Sequence, residues 1–245
     1  MTQNIYDDPA FFAAYGQMDR SLRGLAGAEE WPRMRALLPD LRGLRIVDLG
    51  CGYGWFCRWA RAQGAASVLG IDVSEKMLAR AQASGSDAAI RYDRCDLERL
   101  ELPAASFDLA YSSLALHYIA DLERLLATVR RALVPGARLV FSVEHPIYMA
   151  PTQPEFRIAA DGRRTWPLDG YAVEGPRVTN WLADGVIKQH RTIATTLNLL
   201  IRLGYAIRHV DEFGPTEQQI AARPELAEER DRPMFLLVAA ERSRG

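Results

Sequence analysis

The chain has 245 residues, of which 49% are hydrophobic and 25% are charged, and its formal net charge is −1. A chain of this length can bury one large core, and its near-neutral charge provides no broad positive field to attract nucleic acid or an anionic membrane. Its cysteines, Cys51, Cys57 and Cys95, have neither disulfide nor zinc spacing, so we expect free thiols, a cytoplasmic location and no metal site.

Hydrophobic periodicity and turn residues predict alternating helices and strands over the first 143 residues. In chain order, the predicted elements are helices 9–15 and 29–38, strand 45–49, helix 55–63, strand 67–72, a helix that begins after Ser74, strands 90–95 and 107–112, helix 122–133 and strand 137–143. Strands that alternate with helices at this spacing predict a mostly parallel sheet, which binds its ligands at the carboxyl ends of the strands.

The pattern changes after residue 145. Residues 146–189 are rich in proline, glycine, aromatic and charged residues, with hairpin signals at Asp161-Gly162 and Asp184-Gly185, and we interpret them as an inserted cap. The remaining predicted elements are helix 191–203 and strands 205–213 and 234–240, with a charged segment 215–233 between these strands. A connection that long is more often a lid or a partner surface than a plain turn.

A glycine-rich turn follows the first predicted strand. Asp48 is followed by Gly50, Gly52 and Gly54, and the next predicted strand ends on Asp72. Glycine permits positive φ and lets the backbone lie against a ligand, while one carboxylate at the end of the neighbouring strand can accept both hydroxyls of a ribose. The two features together predict a nucleotide-ribose site.

The spacing of these glycines indicates which nucleotide is bound. A dinucleotide-binding turn has the pattern G-x-G-x-x-G, but the position of its third glycine is occupied here by Trp55 in one frame and by Cys57 in the other. The D-x-G-x-G-x-G pattern that begins at Asp48 resembles instead the first motif of the class I S-adenosylmethionine (SAM) methyltransferases, whose ligand carries no phosphate.

The motifs that carry this resemblance cover roughly residues 43–143, and they are similar to the small-molecule group of the family, which includes methyltransferase type 11 and quinone-biosynthesis enzymes. The resemblance implies an α/β, Rossmann-like sheet of seven strands, mostly parallel with an antiparallel last strand, with helices on both faces and a cap inserted after strand five. We expect one domain over residues 1–245, composed of a helical cover (1–42), a cofactor-binding core (43–145), a substrate cap (146–189) and the C-terminal part of the sheet (190–245).

The resemblance also implies SAM as the cofactor and S-adenosylhomocysteine (SAH) as the product. The residues expected at the cofactor are Tyr15, Asp48, Leu49, Gly50, Cys51, Gly52, Gly54, Asp72, Val73, Met77, Asp96, Leu97, Ser112 and His117. In the family, the glycine turn packs on the methionine part, Asp72 would bind the ribose, and Asp96 would contact adenine. Two alternatives remain open: Asp48 can instead cap the turn, and Asp96 can instead be an ordinary surface residue.

Methyl transfer from a sulfonium is an in-line displacement, so a general base is needed only if the acceptor must lose a proton. His145 is the leading candidate because it follows strand five, where acceptor and methyl should meet, and histidine titrates near neutrality. His117 and His190 are further candidates. The alternative for His145 is a structural hydrogen bond at the start of the cap.

The cap and its neighbours supply the candidate substrate-binding residues, which are Glu144, Tyr171, Arg177, Trp181 and Arg191. Aromatic side chains form a flat apolar wall, and an arginine can hold a carboxylate through paired hydrogen bonds. The alternative is that Trp166 and Trp181 form a small core of the cap itself.

We therefore expect a SAM-dependent methyltransferase with a small-molecule acceptor, no nucleic-acid or membrane partner, and a monomeric or homodimeric state. Adenine- and amide-modifying relatives usually carry Asn-Pro-Pro-Tyr after strand four, whereas this chain has Ser112-Ser113-Leu114-Ala115. A nucleic-acid or protein methyltransferase and a non-catalytic SAM-binding regulator remain as alternatives.

Overall fold

The computed structural model describes residues 3–244. Their strands, in chain order, are β1 (Arg45–Leu49), β2 (Ser67–Asp72), β3 (Ile90–Arg94), β4 (Phe107–Ser113), β5 (Leu133–Glu144), β6 (Arg157–Ile158), β7 (Arg164–Thr165), β8 (Gly175–Trp181), β9 (Ala183–His190), β10 (Tyr205–Glu212) and β11 (Phe235–Arg242). Seven of these strands form one sheet in the order β10-β11-β5-β4-β1-β2-β3, and β6-β7 and β8-β9 form separate hairpins.

Most neighbours in the large sheet are parallel, but β11 runs antiparallel to both β5 and β10. This arrangement confirms the predicted Rossmann-like sheet with an antiparallel last strand. Asp48 of β1 pairs with Gly70, and Asp72 ends β2 beside Arg94 of β3. The carboxyl ends of β1 and β2 therefore lie side by side.

The helices cover both faces of this sheet. In chain order they are α1 (Pro9–Tyr15), α2 (Asp19–Leu22), α3 (Trp31–Leu37), α4 (Trp55–Ala62), α5 (Glu75–Ala83), α6 (Leu122–Ala132), α7 (Pro146–Met149), α8 (Ile193–Arg202) and α9 (Glu217–Ala222). Successive strand residues point to opposite faces, so Val47 packs in the cluster with α6 and α8, while Ile46 packs in the cluster with α3 and α4.

Local chemistry explains where the two helices beside the glycine turn begin. Gly54 precedes α4 with φ of +68°, and a Cβ added there would lie 2.2 Å from the Tyr92 hydroxyl. Ser74 caps α5, because its side chain accepts a hydrogen bond from the Met77 amide at 3.1 Å. The turn and the helix that follows β2 are both fixed at the carboxyl edge of the sheet.

Most predicted bounds lie within two residues of the observed ones, and two differences have a clear structural cause. Strand β5 begins at Leu133 rather than at residue 137, because Leu133 already pairs with Phe107 and an irregularity in register accommodates the proline-glycine pair that follows. The β8-β9 hairpin turns at Leu182, which has φ of +59°, and Asp184 and Gly185 lie within β9. A positive φ is rare for residues other than glycine. The sequence analysis therefore predicted the turn at Asp184-Gly185, two residues after its actual position.

The long charged segment before β11 is not irregular. It contains α9, which begins with a capping box between Thr216 and Gln219, and a 3-10 helix over Pro224–Arg230. Within residues 3–244, no helix combines the length and the apolar character that crossing a bilayer requires.

Candidate active site

A cleft opens at the carboxyl edge of the sheet. Gly50 and Gly52 border it from the turn after β1, Asp72 from the end of β2 and Glu144 from the end of β5. The N-terminal segment and the β8-β9 hairpin complete its wall, with Trp181 as the hairpin's contribution. Ligands of open α/β sheets bind at such an edge.

The glycine turn provides a backbone surface within this cleft. Gly50 and Gly52 have φ of +79° and +52°. A Cβ at Gly50 would lie 2.3 Å from the Ala115 Cβ, whereas nothing lies within 4 Å of the Cβ position at Gly52. The open space at Gly52 fits the close approach of a ligand to the backbone.

Asp72 is oriented by the backbone on either side of it. Its Oδ2 accepts a hydrogen bond from the Gly52 amide and its Oδ1 accepts one from the Ser74 amide, both at 2.9 Å. Burial raises the pKa of the Asp72 carboxyl, and these amide hydrogen bonds oppose the rise. Because a carboxylate has about four lone-pair sites, Asp72 keeps acceptor capacity for ribose hydroxyls.

Further residues expected at the cofactor border the same cleft. Asp96 caps the 3-10 helix Leu97–Arg99, with its Oδ1 accepting from the Glu98 amide at 3.0 Å. The others are Tyr15, Val73, Met77 and Leu97. The turn, the Asp72 carboxylate and this apolar and acidic wall together fit a nucleoside with an extended side chain, as in SAM.

Five of the expected cofactor residues do not border the cleft but lie next to the turn or beneath it; they are Asp48, Leu49, Cys51, Gly54 and Ser112. The Cys57 thiol donates to Asp48 Oδ2 at 3.3 Å, and the Ser112 hydroxyl donates to the Leu49 carbonyl at 2.7 Å. Burial raises the pKa of Asp48 to about 7. These side chains support the turn from inside the protein.

His117 borders the other end of the cleft and is buried. Its Nδ1 accepts the Glu144 amide hydrogen at 3.3 Å, so the neutral ring carries its proton on Nε2. Burial lowers the His117 pKa well below its usual value, and the charge of Lys188 lowers it further. His117 is therefore neutral at physiological pH and has a hydrogen-bond donor to offer.

Glu144 is paired with a lysine that the sequence analysis missed. Lys188, in β9, is 2% exposed and donates from Nζ to Glu144 Oε1. Its Nζ also lies 4.8 Å from the centre of the Trp181 ring. No local motif marks Lys188, because its partner lies 44 residues away in the chain.

Aromatic side chains line the cleft between these two ends. Tyr6 comes from the N-terminal segment, and its hydroxyl lies 3.2 Å from the hydroxyl of Tyr118. The Tyr6 and Tyr15 rings pack edge to face with their centres 5.3 Å apart, and the centres of the Tyr15 and Trp181 rings are 6.3 Å apart. Tyr6 was absent from the sequence predictions, whereas Tyr118 ends the segment 112–118 that the family resemblance places beside the sulfonium.

The structure places His145 and His190 outside the cleft. The His145 side chain is 0% exposed, accepts the Ile147 amide hydrogen on Nδ1 at 3.1 Å, and places Nε2 2.9 Å from Glu212 Oε1. His190 donates from Nε2 to the Tyr171 carbonyl at 2.8 Å. Burial lowers the pKa of both histidines.

Three of the predicted substrate-binding residues also lie outside the cleft. The Arg177 guanidinium donates to carbonyls within the cap, including that of Val173 at 2.6 Å, and the Tyr171 carbonyl is the partner of His190. Arg191 donates to the Ala120 carbonyl at 2.8 Å and borders a second, smaller pocket behind His117 and Glu144. Within residues 3–244, no group of three histidine, cysteine, aspartate or glutamate residues is arranged to hold a metal ion.

Comparison with known proteins identifies the family. The family model for a methyltransferase domain matches residues 47–141. A crystal structure of a SAM-dependent methyltransferase from Mesorhizobium loti is 68% identical, with a TM-score of 0.87 over 89% of this chain and 100% of that chain. An uncharacterized protein of Haemophilus influenzae is 35% identical over 217 residues, 85% of each chain. A malonyl-[acyl-carrier protein] O-methyltransferase of Erwinia billingiae is 34% identical over 135 residues, 54% of this chain and 53% of that protein. The chain belongs to the SAM-dependent methyltransferases.

Proposed function

We propose that this enzyme transfers the methyl group of SAM to a small-molecule acceptor held in the cleft. The observation that carries the proposal is that Asp72 and Glu144 border one cleft from the ends of two strands of the same sheet. Asp72 marks the nucleoside end, and Glu144 with His117 marks the acceptor end. A methyl donor and an acceptor bound at these ends meet between the aromatic side chains.

Two observations support a small acceptor. The Gln3 side chain bonds to Gly185 and Ile187 of β9, each at 2.9 Å, and the Tyr6 and Tyr118 hydroxyls pair across the cleft. These bridges favour a compact molecule over a polymer. The Erwinia billingiae relative is named for methylating a malonyl group on oxygen, which supports an oxygen acceptor for this chain.

When bound, SAM would supply a methyl group that is already activated by its sulfonium. The protein's task is then to align the two reactants and to exclude water. Asp72 would hold the ribose hydroxyls, and Gly50 and Gly52 would let the methionine part lie against the backbone. Tyr6, Tyr15 and Trp181 would shield the reacting atoms from solvent.

We place the acceptor's hydrogen-bond contacts at Glu144 and His117. Lys188 engages Glu144 Oε1, which leaves Oε2 to accept the hydrogen of an acceptor hydroxyl or amine and to take up its proton. The Nε2 hydrogen of neutral His117 can donate to a second polar atom of the acceptor. In this proposal Glu144 takes the role that the sequence analysis gave to His145.

Calorimetric titration with SAM, SAH and NAD tests the cofactor half of the proposal. We expect SAM and SAH to bind and NAD not to bind. We expect Asp72→Asn to weaken SAH binding by about 10- to 100-fold, because the variant loses a charged hydrogen-bond acceptor. Asp93→Asn is the matched control, because Asp93 forms an exposed ion pair with Arg91 away from the cleft. Binding of NAD alone, or equal SAH affinity in the two variants, would refute the proposal.

Turnover of radiolabelled SAM with a panel of phenols, amines and small acids tests the acceptor half. Methylation of one class of small molecule is the expected outcome. SAM binding without turnover of any panel member would favour a non-catalytic regulator, and turnover of only RNA or protein substrates would favour the other alternative.

A further inference from the structure

Arg20 is a cation on the border of the cleft that uses only part of its hydrogen-bonding capacity. Its side chain is 19% exposed and borders the cleft. Nη2 donates to both carboxylate oxygens of Glu30, at 2.7 and 3.0 Å, and Glu30 is buried. Within residues 3–244, Nε and Nη1 of Arg20 have no hydrogen-bond partner. Of the five N–H groups of a guanidinium, the three on Nε and Nη1 are therefore unused.

Arg20 differs in charge from the other ionised residues that border the cleft. Among the described residues, the carboxylates that border the cleft are Asp72, Asp96 and Glu144, and Arg20 is the cation, since His117 is neutral and Lys188 lies behind Glu144. An anionic group that enters the cleft is repelled by the carboxylates and attracted by Arg20. Its most favourable position is therefore beside the guanidinium.

The geometry of the guanidinium suits a carboxylate. A phenyl ring, Phe235, lies 5.9 Å from the Arg20 Cζ and also borders the cleft. Glu30 fixes the guanidinium from the protein side through Nη2 alone. The edges of a guanidinium that offer two parallel donors both include Nη2, which Glu30 occupies, so Nε or Nη1 offers an incoming carboxylate one charge-assisted hydrogen bond.

The unused donors reach solvent at the cleft. The Arg20 side chain is 19% exposed, and among the described residues its nitrogens are not counted with the buried polar atoms that lack a partner. A ligand carboxylate that enters the cleft can therefore reach Nε or Nη1 by displacing water.

We propose that Arg20 is a carboxylate-binding residue of this cleft, held in position by Glu30. The inference rests on the proposed function, because both ligands of that function can carry the carboxylate. One source is the amino-acid end of SAM, and the other is an acidic acceptor.

The test uses a double variant, Arg20→Gln with Glu30→Gln. The single change Arg20→Gln would leave Glu30 as a buried carboxylate without its counter-charge, which is strongly destabilising. The double change removes both charges and keeps two amides that can bond to each other. The matched control is Arg61→Gln with Asp87→Asn, because Arg61 and Asp87 form a half-buried ion pair at 2.9 Å and neither residue borders the cleft.

Calorimetry with SAH and with 5′-methylthioadenosine, which lacks the amino-acid end, separates the first source from a general loss of structure. If Arg20 binds the carboxylate of the cofactor, the double variant loses about 10- to 100-fold in SAH affinity and keeps its affinity for 5′-methylthioadenosine. The control pair should keep both affinities. Equal losses for the two ligands would indicate a disturbed cleft and would overturn the assignment.

Titration of succinate, trans-aconitate and 4-hydroxybenzoate into SAH-saturated protein tests the second source. Unchanged SAH affinity with acid binding that is present in the wild type and lost in the double variant would assign Arg20 to an acidic acceptor. Unchanged SAH affinity without any such loss would overturn the inference. A wild-type protein that binds neither SAH nor 5′-methylthioadenosine would instead refute the proposed function, so the two failures are distinguishable.

Discussion

Burial and hydrogen bonding distinguish the histidine side chains at the carboxyl edge of the sheet. His117 borders the cleft, whereas His145 is enclosed and connects the start of α7 to Glu212. His117 follows β4 and His145 follows β5, and these strands are neighbours in the sheet, so the sequence places both histidines at the same carboxyl edge. Their surroundings separate them, because a base must reach the proton that it removes.

We expect His145→Ala to affect stability more than catalysis. The change removes the cap of α7 and the bond to Glu212, which should lower the free energy of unfolding by about 1 to 3 kcal/mol. The methyl-transfer rate should change by less than about threefold, since a group outside the cleft has no proton to take. Urea unfolding and turnover measure the two effects, with His145→Asn as the control that retains a capping side chain. A rate loss of about 100-fold at unchanged stability would restore His145 as the base.

Asp48 gives the fold a pH dependence of its own. Burial raises its pKa from 3.8 to about 7 in the folded protein, so between these values the folded state binds more protons than the unfolded state. Stability is therefore full below about pH 4, falls as the pH rises towards 7, and then levels off. The loss is about 1.4 kcal/mol for each unit of pKa difference.

We expect Asp48→Asn to remove this dependence, since the amide does not ionise. The variant should gain stability relative to the wild type at pH 8, and less at pH 5. Chemical unfolding across pH 4 to 8 measures the difference, with Asp93→Asn as the exposed control. A stability difference that does not vary with pH would show that Asp48 has no raised pKa.

Among the larger elements, the β8-β9 hairpin is joined to the end of β5 by one buried ion pair. Lys188 is 2% exposed at its side chain and Glu144 is 13% exposed. Removing one member of a buried pair leaves an uncompensated charge, which costs about 3 to 5 kcal/mol, whereas replacing both members is often nearly neutral.

A double-mutant cycle tests this connection. We expect Lys188→Met to lower the free energy of unfolding by about 3 to 5 kcal/mol, and the added Glu144→Gln to recover most of that loss. Lys188→Arg should lose less than Lys188→Met, because it retains the charge. Additive losses for the two changes would mean that the hairpin and β5 are not coupled through this pair.

The elements that the sequence predicted well are those with local signals. The strands around the glycine turn, the cap at Ser74 and Asp72 at the end of β2 follow from short patterns in the chain. Arg20 at the cleft and Lys188 behind Glu144 were missed, because both positions depend on packing between segments far apart in sequence. Leu182 was missed because a leucine gives no turn signal.

At the scale of the whole molecule, the cap contacts both the N-terminal cover and the segment that follows β5. Trp181 of the hairpin meets Phe11 and Tyr15 of the N-terminal cover, while Trp166 donates to the Ile147 carbonyl next to β5. Because the cap tryptophans pack on these neighbours, we do not expect the cap to unfold independently of them. The sequence-based division into cover, core and cap therefore describes parts of one expected folding unit.

We expect residues 1–245 to unfold in one transition. Circular dichroism, which reports mainly on the sheet and helices, should give the same urea midpoint as tryptophan fluorescence of a variant that keeps only Trp166 and Trp181 in the cap. SAH should raise both midpoints equally, because a ligand that binds only the folded state stabilises it by an amount that grows with the ratio of its concentration to its Kd. If the tryptophans of the cap changed at lower urea than the sheet, and SAH moved only that first transition, the cap would be a separate unit that closes on the bound ligand.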